Sequence, residues 1–426
     1  MSQEASRVGH HVTGVRPALD ELSVTWQGGA TYNDLHVFEL QEPTRVIEWI
    51  GEKSVCVAGY ENSRRNEILQ LLLPQKLCVK EKQGLCPERD FKVERGGFSD
   101  RPVYSLRHVP DTSLLVTSGP PDSSLQVWQL AAEDTGVIKS VSTIPTGNDS
   151  KKPWAKIATT LARTSCVLHG SRVNNVQITE IESKKNIYTA DPTPKGQHLY
   201  CQSQWLSHVQ QLGLVVLGAL GSAASSNSNE VSGLEFLDCN TWLACCVKGQ
   251  LCLADVRQPQ SPLGDTSVPS ALSGEQWCMG VSSGLQGSDV NAPTIARLSS
   301  GGQLTLTDLR NIPKPLKSAR CKVSAASQSA EFLCVSWAPV LDGCLAVSGF
   351  NGTVHIYDTR SWPVSGGEAE SVFSHKGHIF SGMDNSSDFP LVTTHAWHPW
   401  KPRMLLSAAS DGSLHVWDWA ESHKDS

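Results

Sequence analysis

At 426 residues, with 18% charged and 7% aromatic side chains, 34 glycines and 23 prolines, the chain is turn-rich and globular in composition, neither disordered nor fibrous. A net charge of −6 offers no basic field to gather phosphates, which disfavours nucleic-acid binding as the main role. The length suits one large β domain or two to three smaller ones.

The 13 cysteines show no C-x-x-C spacing and fall mostly inside apolar runs such as Leu243-Ala-Cys-Cys-Val247. They read as small buried residues of a reducing compartment rather than a disulfide framework. Residues 1–30 hold no apolar signal core, and the longest apolar run, Leu212 to Leu220, is far short of the roughly 20 residues that span a bilayer. A soluble intracellular protein with no membrane contact is expected.

In chain order, residues 1–30 lack periodicity and read as a loose tail. Leu35 to Leu40 alternates like a lone strand with no hairpin partner nearby. Val46 to Trp49, Val55 to Tyr60 and Ile68 to Leu73 form a first unit. A connector rich in charge and glycine, Lys80 to Arg101, leads to a second unit from Val103 to Gln129. A weaker third unit spans Ala155 to Ile181. Residues 183–233 break the pattern and read as a mobile insertion.

Four more units close at Asp255, Asp308, Asp358 and Asp418, which stand 53, 50 and 60 residues apart. Their last strands align without gaps, as Leu251 to Asp255, Leu304 to Asp308, Val354 to Asp358 and Leu414 to Asp418. Six residues before each Asp stands Gly249, Gly302, Gly352 or Gly412. Asp411-Gly412 can take positive φ at both positions, so a tight type I′ hairpin is expected there. Hairpins of equal length produce such spacing and helices do not. Gln129 and Glu180 fill the Asp place in the second and third units, which makes seven units in all.

The fold class follows: all-β, a single seven-bladed WD40 β-propeller over residues 31–420, with a C-terminal tail at 421–426. After Asp418 only eight residues remain, too few for a fourth strand. The strand at Leu35 to Leu40 is therefore expected to complete the last blade and clasp the ring shut.

Within that blade, Gly377-His378 and the closing Trp417-Asp418 have the GH…WD form of the WD40-repeat family. The connector Lys80 to Arg101 closely resembles one that marks a particular branch of the family. Arg45-Val-Ile-Glu-Trp-Ile50, Lys376-Gly-His-Ile-Phe380 and Val392 to His398 resemble it too. The resemblance spans roughly residues 31–420 and lapses over the first thirty residues and about 195–232. It implies a non-enzymatic cytoplasmic scaffold that binds protein partners and needs no cofactor. It further implies an assembly partner for the catalytic heterodimer of the Integrator complex's RNA endonuclease module. Association with spindle and microtubule proteins, at spindle poles and cleavage furrow, is implied as well.

In WD40 blades a GH histidine, a second-strand Ser, the turn Asp and the closing Trp form a hydrogen-bond network. Here these would be His378, Ser407, Asp411 and Trp417. The competing chemistry is zinc held by His375-x-x-His378 and His395-x-x-His398. No G-x-S-x-G elbow and no phosphate-binding glycine loop is present, so no catalytic residue is assigned. Arg89, Asp90, Phe91, Lys92, Arg95 and Phe98 of the connector, with Arg64 and Arg65, combine Arg with Phe on a loop and are the partner-binding candidates. A third reading is a substrate-recognition propeller for phosphorylated or ubiquitin-linked proteins, which calls for a compact basic pocket on one face.

Overall fold

The computed structural model describes residues 31–61, 65–74, 91–130, 136–146, 154–161, 164–190, 230–257, 274–282, 293–312, 314–323, 330–364, 366–381 and 390–420. Seven sheets are built, each with neighbouring strands antiparallel except at one place in the fifth. The innermost strands are Thr44–Trp49, Ser105–His108, Lys156–Leu161, Val231–Phe236, Trp277–Val281, Cys334–Trp337 and Val392–Trp397. Each touches the next, and the last returns to the first. The architecture is a seven-bladed β-propeller.

The ring has seven apolar clusters, one wedged between each pair of neighbouring blades. The middle strands are therefore covered on both faces, and they read as mostly apolar runs interrupted by single polar residues such as His169 and Ser407. Ser165–Gly170, Thr241–Cys246 and Met404–Ala409 are examples. Cys56, Cys245, Cys246 and Cys344 are buried in such positions.

The ring closes as the strand count requires. Thr31–Glu39 runs antiparallel to Ser413–Ala420, with Leu35 opposite Trp417 and Phe38 opposite Leu414. Leu35 enters the cluster shared with the sixth blade and Phe38 the cluster shared with the first. One clasp strand thus ties three blades.

The structure corrects three boundaries. The second half of the connector is no loop: Lys92–Ser99 is the outer strand of the first blade, paired with Asn66–Leu72. Its Gly96 bonds to Gly136 and Ile138, and a Cβ on Gly97 would lie 2.5 Å from the Ile138 carbonyl oxygen. Glycine is what lets the second blade dock there. The proposed insertion is narrower than 183–233, because Asn186–Thr189 closes the third blade and Val231–Phe236 opens the fourth. Residues 191–229, the two tails at 1–30 and 421–426, and the first half of the connector lie outside the described residues. The Asp411 hairpin is not type I′. Only Gly412 has positive φ, 87°, and its N–H bonds back to Ala409. Asp411 keeps the ordinary side because its carboxylate accepts from the Ser413 N–H and hydroxyl, at 2.9 and 2.6 Å.

The closing Asp residues have a local task. Asp255, Asp308 and Asp358 each accept from the backbone N–H and the guanidinium of the residue two further on, Arg257, Arg310 and Arg360. In the fifth and sixth blades that staple sits where the chain leaves the third strand for the fourth. Asp418 has Ala420 at that offset and receives Asn33 of the clasp instead, at 3.3 Å.

Candidate interaction site at the axis of the ring

The sequence-derived candidates separate into a surface set and a buried set. Phe91 is only 8% exposed, and its ring meets Phe38 edge-on at 4.2 Å, so it anchors the connector to the clasp. Arg95 donates to the Gln70 side-chain oxygen at 2.9 Å, within the first blade. Lys92 and Phe98 are exposed, the latter at 49%. Arg65 pairs with Asp100 at 3.0 Å in open solvent, where such pairs contribute little. Arg64, Arg89 and Asp90 lie outside the described residues.

The four histidines of the zinc alternative do not meet. His395 bonds to Ser336 and Ser348, each at 2.7 Å, and His398 lies against Trp49 with ring centroids 4.6 Å apart. His375 and His378 are joined instead by His415, a residue no spacing rule singled out. Ring nitrogens of these three come within 4.8 Å of one another. However, His378 and His415 stack with centroids 3.7 Å apart and planes 10° from parallel. An ion bound by an imidazole lies about 2 Å from nitrogen and near the ring plane, and no point lies in both of two stacked planes. This arrangement does not suit a metal.

What it does is hydrogen-bond. His378 reaches Ser413 at 2.7 Å and Ser407 at 2.8 Å, and Trp417 donates to Ser407 at 3.1 Å. Asp411 reaches His378 only through Ser413. Tyr32 of the clasp bonds to His375, and His375 lies 3.0 Å from His415. All three imidazoles are fully buried. Burial pushes His415 down to about 3 and His375 and His378 well below their usual value, so the group is neutral at physiological pH.

The brace recurs. Thr117 and Trp128, His169 and Thr179, and Arg297 and Thr307 bond across the second and third strands on the same diagonal as Ser407 and Trp417. In the fourth blade that diagonal is Ala244 and Ala254.

A second polar group lies on the axis. Arg107 of the second blade bonds to Glu48 of the first at 3.2 Å and Glu235 of the fourth at 2.9 Å, a reach that spans the third blade on the inner side of the ring. The two carboxylates hold its proton more tightly than usual. Nearer the face where inner strands begin, Arg45 lies over the Tyr104 ring at 3.9 Å and 5.3 Å from Trp154 and from Phe332. Its guanidinium also bonds to Glu331 at 3.3 Å. Lys156 stands over Trp154 at 4.3 Å. Three cations and three carboxylates share this region, which is not the compact basic pocket that phosphate recognition calls for.

No model of a known protein family matches the chain. Curated proteins do. It is 47% identical over 390 residues to a Xenopus laevis protein, covering 92% of this chain and 96% of that one. It is 46% identical over 403 residues to a Mus musculus protein, covering 94% and 99%. A Homo sapiens protein is 45% identical over 396 residues, covering 92% and 95%. All three are named Integrator complex assembly factor WDR73. The chain belongs to the WDR73 family. Membership in this family of WD-repeat propellers points to a scaffold or adaptor that binds protein partners and does not catalyse. No helix among the described residues is long and apolar enough to cross a membrane.

Reading the sequence missed the axial group because its members come from blades far apart in the chain. One signal was present: Tyr104, Trp154 and Phe332 each stand one or two residues before an inner strand begins. Aromatic rings at that repeated offset encircle the axis.

Proposed function

We propose that this chain is a non-catalytic scaffold in the assembly of the Integrator complex, acting on the catalytic heterodimer of its RNA endonuclease module. The observation that carries this reading is similarity over nearly the whole length, 92% of this chain and 96% of the Xenopus laevis protein, to relatives named for that assembly. A ring closed by a clasp strand and filled with an apolar cluster between every pair of neighbouring blades suits the task, since loops held on it lose little freedom on binding. The place of action is the cytoplasm, with spindle poles and cleavage furrow as further sites during division. These rest on resemblance alone.

The test is affinity purification of the tagged chain with crosslinking. Recovery of the two endonuclease subunits, crosslinked to the propeller, is the expected result. Their absence from a folded chain would overturn the reading. Arg65→Glu and Phe98→Ala address the connector surface, because both side chains are exposed and neither is needed for the core. Undiminished recovery in both would remove the connector from the interface.

A further inference from the structure

Of the three cations on the axis, two are matched. Arg45 has Glu331, and Arg107 has Glu48 and Glu235. Lys156 has no carboxylate partner among the described residues, only the face of Trp154. Burial, reinforced by the Arg45 and Arg107 charges, pushes its ammonium down to about 8. An ammonium surrounded by protein and left without an anion is costly, and an incoming negative charge would relieve it.

The site is also open. Arg107 and Glu235 join the second and fourth blades on the inner side of the ring and their side chains are still 38% exposed, and Lys156 and Cys334 are only half-buried. Protein surrounds these groups from several blades, so solvent reaches them along the axis. The way in from the face where inner strands begin passes Tyr60, Tyr104, Trp154 and Phe332, whose rings stand in contact pairs. Aromatic walls around a desolvated cation are the surroundings in which a single charged side chain gives specificity.

We propose that the axial opening receives an acidic side chain of a protein partner, with Lys156 as its counter-ion and the aromatic mouth as its collar. Charge complementarity selects the occupant: among the described residues the unmatched axial cation is Lys156, while the net charge of −6 offers no general attraction for anions elsewhere on the chain. The inference rests on the scaffold reading and names the chemistry of what the scaffold holds.

The full chain is titrated with fluorescein-labelled hexaglutamate and with hexaglutamine, and binding is followed by anisotropy. The expected result is a preference for hexaglutamate of roughly tenfold or more. Lys156→Met should abolish the preference, and Lys156→Arg should keep it. Lys139→Met, on the exposed outer strand of the second blade, should leave it unchanged. Near-UV circular dichroism establishes that each variant is folded, and Lys156→Gln decides if the Met variant is not.

No preference in the unsubstituted chain, or a preference that survives Lys156→Met, overturns the inference. So does complete displacement by acetate at equal carboxylate concentration, since that marks a site for free anions only. Recovery of Integrator subunits is measured separately. A chain that recovers them while ignoring hexaglutamate overturns this inference alone. One that takes hexaglutamate through Lys156 but recovers no subunit overturns the proposed function alone.

Discussion

In the seventh blade the buried Trp417 donates to Ser407, which also bonds His378, and a second serine carries the link to Asp411. In the fourth blade the matching diagonal is Ala244 and Ala254, and the surrounding cluster of Trp242, Leu168 and Ile178 is apolar. Both blades form regular hairpins with their buried strands in register. A polar brace is therefore not what makes a blade. A middle strand buried on both faces and a turn glycine suffice. The brace adds a penalty for wrong pairing, because a slip by one residue would strand several buried donors and acceptors. It is richest where the two ends of the chain must find each other.

If so, the largest loss should come from the clasp. Leu35→Ala with Phe38→Ala empties two separate inter-blade clusters, and each large-to-small change costs about 3 kcal/mol. The pair should then lower unfolding free energy by about 6 kcal/mol in urea titrations. A loss below that of an equivalent pair in the fourth blade would show that the clasp is dispensable. Next comes His378→Ala, which leaves the Ser407 and Ser413 hydroxyls buried without their shared partner. About 3 kcal/mol is expected by the same measurement, and a cost near that of an exposed histidine would remove the brace from the argument.

The comparison also explains what could be read in advance. Blade number and the GH…WD group follow from spacings within single repeats, where neighbours in sequence are neighbours in space, and the clasp follows from counting the strands that the last repeat lacks. The outer strand Lys92–Ser99 was hidden because Arg95-Gly-Gly-Phe98 has the composition of a loop; it pairs with Asn66–Leu72 of its own blade, and its glycines let the second blade bridge to it at Gly96. Phe91 looked like an anchor for a partner and is an anchor for the clasp. His415 escaped notice because its importance lies in stacking on His378, thirty-seven positions away, which no motif encodes. The axial cations were invisible for a plainer reason. Arg45, Arg107 and Lys156 belong to different blades, and only closure of the ring brings them together.

Acid should expose the brace more gently. His375, His378 and His415 are held neutral when folded, whereas unfolded histidine takes a proton near pH 6.5. Below that value the unfolded chain binds more protons than the folded one, so stability falls as pH drops toward the depressed folded values. For His415 the window runs from 6.5 down to about 3. His415→Gln removes one such proton, and the slope of unfolding free energy between pH 6 and 4.5 should flatten by up to about 1.4 kcal/mol per pH unit. An unchanged slope would mean that this imidazole is already charged in the folded ring.

The smallest effect is the most discriminating. The second blade holds the simplest brace, a single bond of 2.8 Å from Trp128 to the Thr117 hydroxyl, with no histidine attached. Thr117→Val strands the buried indole N–H, and Trp128→Phe strands the hydroxyl, so each alone carries a desolvation cost in addition to its change in packed volume. In the double variant neither group is left unmatched, and the two losses should fall short of additivity by about 1 kcal/mol. Strict additivity would mean that the bond contributes nothing beyond contact. The seventh blade would then differ from the fourth only in composition, and the polar diagonal would carry no information about register.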